Sequence, residues 1–468
     1  MTPTLLTAAE FYVDPMHGSM SNDGTLAHPW STLQEVLEQN KIETRKWQDH
    51  PYLPGMPFVP KNQGAPVKAG DTLVLMDGFH GKIDITEYYN ESYITLTAMP
   101  GHTPALSLSE ICSGCKWILK GLTFTPELAP AYETGYLLKF VNSNWTGPCS
   151  DCIVEDCLLY SVWDTVSWSE TDWNNKACDG IALPGEQMVI RNCHLKNVDM
   201  GIYVTGDNCL VEDTVVENFS GDGLRGLGDY NTFQHNTVKN SYDVNNNHDD
   251  GFQSWSLGPD GVVGHGTVYG IVLRGNTIIA YEDPAQPFRG TLQGIGCFDG
   301  MFEDWIVENN VIITDHWHGI TLLGAVNCRV VNNTVIDPNT TSPGPPWIRI
   351  AEHKNGTPCS GCTVRNNLVT DLNNAVQGVQ EDHNIIVEEY NDFFIDAAGM
   401  DLRLRQGCMA IDEGYEVLAP STDRDQIQRP TGPGWDIGAY EYHGVVKGKD
   451  DLRMVNSMSS KTPVLRIE

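Results

Sequence analysis

Apolar and polar residues alternate in short bursts along most of this chain, and the bursts recur. The segments CIVEDCLLYSV (152–162), MVIRNCHLKNV (188–198), CLVEDTVVENF (209–219), NTFQHNTVKNS (231–241), IVLRGNTIIAY (271–281), WIVENNVIITD (305–315), CRVVNNTVIDP (328–338) and CTVRNNLVTDL (362–372) align with one another. Each holds two runs rich in β-branched residues, separated by a tight polar turn. A third run follows: DGIAL (179–183), MGIYV (200–204), DGLRG (222–226), DGFQS (250–254), QGIGC (293–297) and HGITL (318–322). Period-two runs of this length predict strands, not helices. Three strands in a repeat of about 22 residues predict a right-handed parallel β-helix, in which each coil stacks on the last. About eleven coils fit between residues 92 and 396, a column on the order of 50 Å tall at roughly 4.8 Å per coil.

The turn between the first two strands carries Asn236, Asn276, Asn310, Asn333 and Asn367 in register, as expected if the amide side chains stack and bond along the axis. An open stack of strands is an aggregation edge and needs covers. STLQEVLEQNK (31–41) has a helical apolar period after a hydroxyl residue and predicts a capping helix. Residues 1–91 are therefore assigned to an N-terminal cap and first strands, 92–396 to the β-helix, and 397–443 to an irregular closing unit. A polar tail at 444–468 is free to reach a partner chain, which would make the assembly a homotrimer or a virion appendage.

Composition narrows the field. With 29 basic and 61 acidic residues in 468, the formal charge is −32, so nucleic acid and anionic lipid are excluded as partners for the general surface. No apolar run is long enough to insert in a bilayer. The first residues show no signal peptide, which implies a bacterial protein processed or released by lysis, or a phage virion part. Thirteen cysteines include three CSxC pairs, at 112/115, 149/152 and 359/362. Zinc on the first two pairs is the alternative to packing. Cys115, Cys152, Cys209, Cys328 and Cys362 fall at one repeat position, which points to a core column.

Long insertions flank only the third strand: 163–178, 282–292 and 339–347 before it, 256–269 and 352–361 after it. They make the third sheet the floor of a walled groove, a shape suited to a polymer. Trp163, Trp168, Trp173 and Trp347 lie in the walls, either stacking on sugar rings or pinning loops. On the floor, Asp222 and Asp250 precede the glycine of adjacent coils and Asp249 is beside them. Carboxylates so crowded either hold a cation or keep a proton for acid catalysis. Asp179, Gln293 and His318 occupy the same place in other coils. Asp179 reads as a substrate contact or as a plain turn-former. Tyr203, Arg225, Gln253, Thr321 and Arg349 are the expected outward residues.

FYVDPMHGSMSNDGTLAHPWSTLQ (11–34) and AIDEGYEVLAPSTDRDQIQRPTGPGWDIGAYEY (410–442) resemble the opening and closing segments of bacterial and phage right-handed β-helix proteins. That superfamily is similar to the pectate lyases and pectin hydrolases, and the resemblance implies a carbohydrate-active protein working on an extended polysaccharide. The Asp-Asp-Gly-aromatic run at 249–252 resembles the calcium motif of one pectate lyase family. It implies Ca²⁺ on Asp222, Asp249 and Asp250, with Arg225, His318 or Lys354 as the base of a β-elimination. The series SGDG (220–223), HDDG (248–251), GHG (264–266) and WIRI (347–350) resembles that of the polygalacturonases, which are inverting hydrolases. It implies Asp249 and Asp250 flanking a water, with Asp222, His248 and His265 near the substrate. A third expectation is a phage spike or fibre that grips host glycan without cutting it.

Overall fold

The computed structural model describes residues 8–374, 377–417 and 420–444; most of the tail assigned to 444–468 lies outside them. The chain winds as a right-handed parallel β-helix. Its first sheet runs from Glu10–Val13 through Thr72–Leu75 and on, one strand per coil, to Val379–Asp382. The second sheet has 12 strands, from Gly78–Phe79 to Ile385–Ile386. The third carries Asp179–Leu183, Ile202–Val204, Leu224–Gly226, Asp250–Trp255, Gln293–Asp299, His318–Leu323 and Trp347–Ala351, each paired in parallel with the next.

Why these residues make these strands is visible in the interior. Val154, Ile190, Val211, Phe233, Leu273, Val307, Val330 and Val364 form one unexposed column on the first sheet. Alternate residues of short runs thus point inward at every level, and their burial is the main stabilising term. The cysteine column is real but differs at one position. Cys152, Cys209, Cys328 and Cys362 are buried thiols in the core, whereas Trp117 takes the place expected for Cys115, because Ile118 pairs with Ile153. Among the described residues all cysteines are free, and no three His, Cys, Asp or Glu side chains are grouped to hold a metal.

The asparagine stack forms as the repeat predicts. Each Nδ2 of Asn236, Asn276, Asn310 and Asn333 donates to Oδ1 of the next at 3.0 Å, and Asn367 donates to Asn384 at 2.9 Å. The same Oδ1 atoms accept the backbone N–H of the rung below. Every buried amide in the turn is satisfied this way, so the turn cannot lengthen without orphaning one.

At the N-terminus the capping helix is short, Leu33–Glu38, and Thr32 rather than Ser31 caps it, its hydroxyl accepting from the Glu35 amide. Leu33, Val36 and Leu37 seal the first coil. The C-terminal residues do not sit only at the far end. Phe394, Leu402, Leu404, Ala410, Ile437 and Ala439 pack on Ile279, Val311, Ile313, Ile336 and Leu368, the outer side of the second sheet. They form a strap along several coils. Arg429, unexposed, pairs with Glu441 at 2.6 Å and donates to Asn309. Asn332 donates to the Asp436 carbonyl, Asn366 to that of Tyr415, and Arg424 to Thr277.

Candidate functional site

With the second sheet covered by the strap, the third sheet is the face bordered by the long loops. The chain bends into it at a repeated glycine. A Cβ on Gly201 would lie 2.0 Å from the Gly223 carbonyl oxygen, so this corner admits no side chain. The residue just before the glycine and the residue three further on then face the same way. Arg225 thus reaches back to Asp222, and Gln253 reaches back to Asp250 at 2.8 Å. In His318 the ring Nδ1 meets the Thr321 hydroxyl at 2.8 Å by the same i, i+3 geometry.

A recess opens on this floor. It holds about 240 Å³ and is lined by Tyr136, Asp179, Asp199, Met200, Ile202, Tyr203, Asp222 and Arg225. Three carboxyl groups and one guanidinium meet there. Asp222 is buried, takes both Nε and Nη2 of Arg225 on one oxygen, and accepts the Asp250 amide on the other at 3.0 Å. Arg225 in turn lies over the rings of Tyr203 and Trp255, so it is fixed from two sides. Burial and the neighbouring Asp199 push Asp179 up to about 6. Burial also raises Asp199, which the Ser220 hydroxyl opposes by donating to it at 3.0 Å. Tyr136 is pushed up to about 12, by burial first and Asp179 second.

The structure therefore brings Asp179, Asp222, Arg225 and Tyr203 together, and adds Tyr136, Asp199 and Met200. Asp199 escapes a search for acids immediately before a floor glycine because Met200 intervenes. Counting rungs finds it, since its coil lies between those of Asp179 and Asp222.

The expected trio of Asp222, Asp249 and Asp250 does not form an open cluster. Asp250 is wholly buried, and one oxygen lies where a Cβ on Gly296 would be, 2.1 Å away. That oxygen has no partner, nor has Oε1 of Gln293, its register neighbour. Burial and the nearby Asp222 charge push Asp250 well above the usual carboxylate range. Asp249 is 6% exposed and turned to the Ser241 hydroxyl at 2.6 Å; burial raises it to about 7. Almost every oxygen of the three is already engaged or enclosed, so the residues do not fit a Ca²⁺ site, which wants several open oxygens.

Other expected residues fall outside the recess. His318 is three rungs above Asp222, about 14 Å at roughly 4.8 Å per rung. Its ring is enclosed by Phe298, His316 and Trp347, and burial lowers it to about 4, so it is not placed as the base for these acids. His265 pairs with Asp260 inside its own exposed loop at 2.8 Å, and the adjoining Gly264 faces Asp299 and His353, not Asp222. Lys354 is held by Asp299 at 2.7 Å. His248 is exposed in the loop before Asp249, close enough to bias Asp222. Gln253 and Arg349 share the Arg225 column, one and four rungs on. Trp173 offers no free face to a substrate: it is 1% exposed and stacks on Tyr242 at 4.6 Å. Trp168 meets it edge-on at 5.2 Å and remains half-buried.

The class these features define is the right-handed parallel β-helix. Residues 179–368 match the family model described as a right handed beta helix region. Among solved structures, pectate lyase Pel9A superposes with a TM-score of 0.50 at 13% identity, covering 93% of this chain and 97% of that one. XylC in complex with xylose gives 0.48 at 9%, covering 79% and 76%. A PL6 family polysaccharide lyase from Pseudopedobacter saltans gives 0.36 at 13%, covering 75% and 96%. No curated protein matches the chain in sequence. At 13% identity the likeness to pectate lyase Pel9A shows the fold alone, and function has to come from the site.

Proposed function

We propose that this chain binds an extended polysaccharide along its third sheet and hydrolyses a glycosidic bond at the Asp179–Asp199–Asp222 recess. The observation that carries the reading is Asp179, a carboxyl held at about 6 beside a second carboxyl that a hydroxyl donor favours in its charged form. A carboxyl that holds its proton toward neutrality, in one recess with a second carboxyl, is what acid–base cleavage of a glycoside needs. Asp179 gives its proton to the leaving oxygen as the C1–O bond breaks. Asp199 takes a proton from the water that bonds to C1, and Arg225, fixed by Asp222, orients the sugar with Tyr203 and Tyr136.

Hydrolysis is favoured over β-elimination by charge and by the fate of the cation. With Asp179 protonated, Asp199 and Asp222 outweigh Arg225, so the recess is net negative and repels a uronate. Elimination also needs a free base, and Arg225 is tied to Asp222 by two hydrogen bonds. A neutral sugar is therefore the proposed occupant of the cleavage position. The test is a panel of neutral and acidic glycans, with and without EDTA, assayed for new reducing ends and for the ultraviolet absorbance of unsaturated products. Reducing ends without that absorbance, lost in Asp179→Asn, support the reading. Unsaturated products select a lyase, and binding without cleavage selects a glycan-gripping appendage.

A further inference from the structure

We infer that the chain carries a second sugar-binding site, outside the groove, on the outer side of the wall formed by loops 163–178 and 282–292. A separate recess of about 240 Å³ lies there, lined by Trp163, Trp168, Lys196, Asn218, Tyr242 and Phe288, among others. It backs onto the cleavage recess across the corner between the second and third sheets. Asn197 lines one and Asp199, two residues later, lines the other.

Four observations point to a ligand. Trp173 already pins the loop, through its stack on Tyr242 and the Asn174 bond to the Val244 carbonyl at 2.7 Å. Trp163 is not needed for that task and stands 54% exposed, with Val166 of the same loop 89% exposed. Large apolar side chains left open at the lip of a recess mark a binding surface. Next, Lys196 holds its ammonium 4.6 Å from the Trp163 ring and makes no ion pair among the described residues, so a donor is ready beside an aromatic face. Third, Asn218 spends only its Nδ2, on Asn197, which leaves its carbonyl oxygen to accept. Finally, Phe288 sits at φ 53°, a left-handed conformation rare for a bulky residue and concentrated where function requires it. The backbone is locked there by the Asp243 amide bonding to the Phe288 carbonyl at 2.8 Å, which keeps the ring at the recess.

Aromatic faces rimmed by an ammonium, an amide oxygen and the Thr165 and Asp164 side chains suit a pyranose, whose C–H face stacks while its hydroxyls bond. The occupant is a sugar unit of the same polymer that the groove takes; in this choice of ligand the inference rests on the proposed function. Holding polymer at a second point raises its effective concentration at the first. A short oligosaccharide cannot reach both.

The experiment is affinity electrophoresis in gels cast with each polysaccharide of the panel, comparing the native protein with Trp163→Ala and Lys196→Ala. Both side chains are solvent-accessible, and unchanged thermal midpoints confirm folding. Trp163→Ala is expected to weaken retention by about tenfold, and Lys196→Ala by less. Cleavage of short oligosaccharides, or binding of them if none is cut, stays at the native level. Equal retention of native and Trp163→Ala protein overturns the site, as does the absence of retention by every polysaccharide. Loss of cleavage in Asp179→Asn with retention intact leaves this site standing. Retention that depends on Trp163 without any cleavage sinks the hydrolase reading alone.

Discussion

At the residue scale the behaviour of this face is governed by carboxyl groups that burial keeps from ionising. Asp179 is the first. Its value near 6 means the acid form predominates below that pH, so cleavage is expected to fall as pH rises through 6. Asp179→Asn is expected to lower kcat by about 10² to 10⁴-fold with little change in KM; a pH–rate profile and steady-state kinetics check both. Asp249 and Asp250 make the complementary prediction about stability. Their folded proton affinities are raised, to about 7 for Asp249 and well beyond the ordinary range for Asp250. The stabilisation they give is complete below the unfolded value, near 4, and is lost as pH rises through the folded one. Asp250→Asn, which cannot ionise, is therefore expected to raise stability on the alkaline side of neutrality. It should have no such benefit near pH 4. Urea unfolding under the two conditions measures the difference.

At the element scale the asparagine stack sets the cost of change. Asn310 donates to Leu273 and Asn333 and accepts both the amide and the side chain of Asn276. Asn310→Ala is expected to cost about 3 kcal/mol, because it strands the buried backbone and side-chain donors of Asn276 and takes a donor from the Leu273 carbonyl and from Asn333. Asn384→Ala, at the open end of the stack, is expected to cost less than half that; denaturant midpoints rank the pair. This stack and the three-sheet coil were legible in the sequence because each obeys one short period, two residues along a strand and about 22 along the chain. The floor was legible only in part. Arg225, Tyr203, Gln253 and Arg349 follow the strand period and fall where the pattern puts them. Asp249 and Asp250 break it at a corner, where one residue turns toward Ser241 and the next turns inward, and spacing cannot report that. Trp173 shows the same limit: a tryptophan in a long loop reads alike whether it faces a substrate or Tyr242.

At the scale of the whole molecule, the strap over the second sheet ties the C-terminal residues to four separate coils. Arg429 and Glu441, both without exposure, are its central link. Removing one partner of a buried pair leaves the other charged and alone, so Arg429→Met is expected to cost about 3 to 5 kcal/mol. The variant is expected to be cut by protease between 405 and 444 while the coils below Thr277 resist, which timed digestion with mass spectrometry follows. The net charge of −32 acts over the same scale: retention on acidic glycans is expected to improve as added salt shortens the screening length.

The anchor points of that strap also limit how the protein can change length. Thr277, Asn309, Asn332 and Asn366 each receive a bond from the C-terminal residues or give one to them. Duplicating a rung among them would displace every later attachment by one step, and the strap would need a matching insertion. A rung duplicated before Asp179 displaces the strap and its anchors together and leaves the Asp179–Asp199–Asp222 recess intact. Length variants of this protein should therefore gain and lose turns below Asp179, leaving the recess and the strapped coils above it as a block of fixed height.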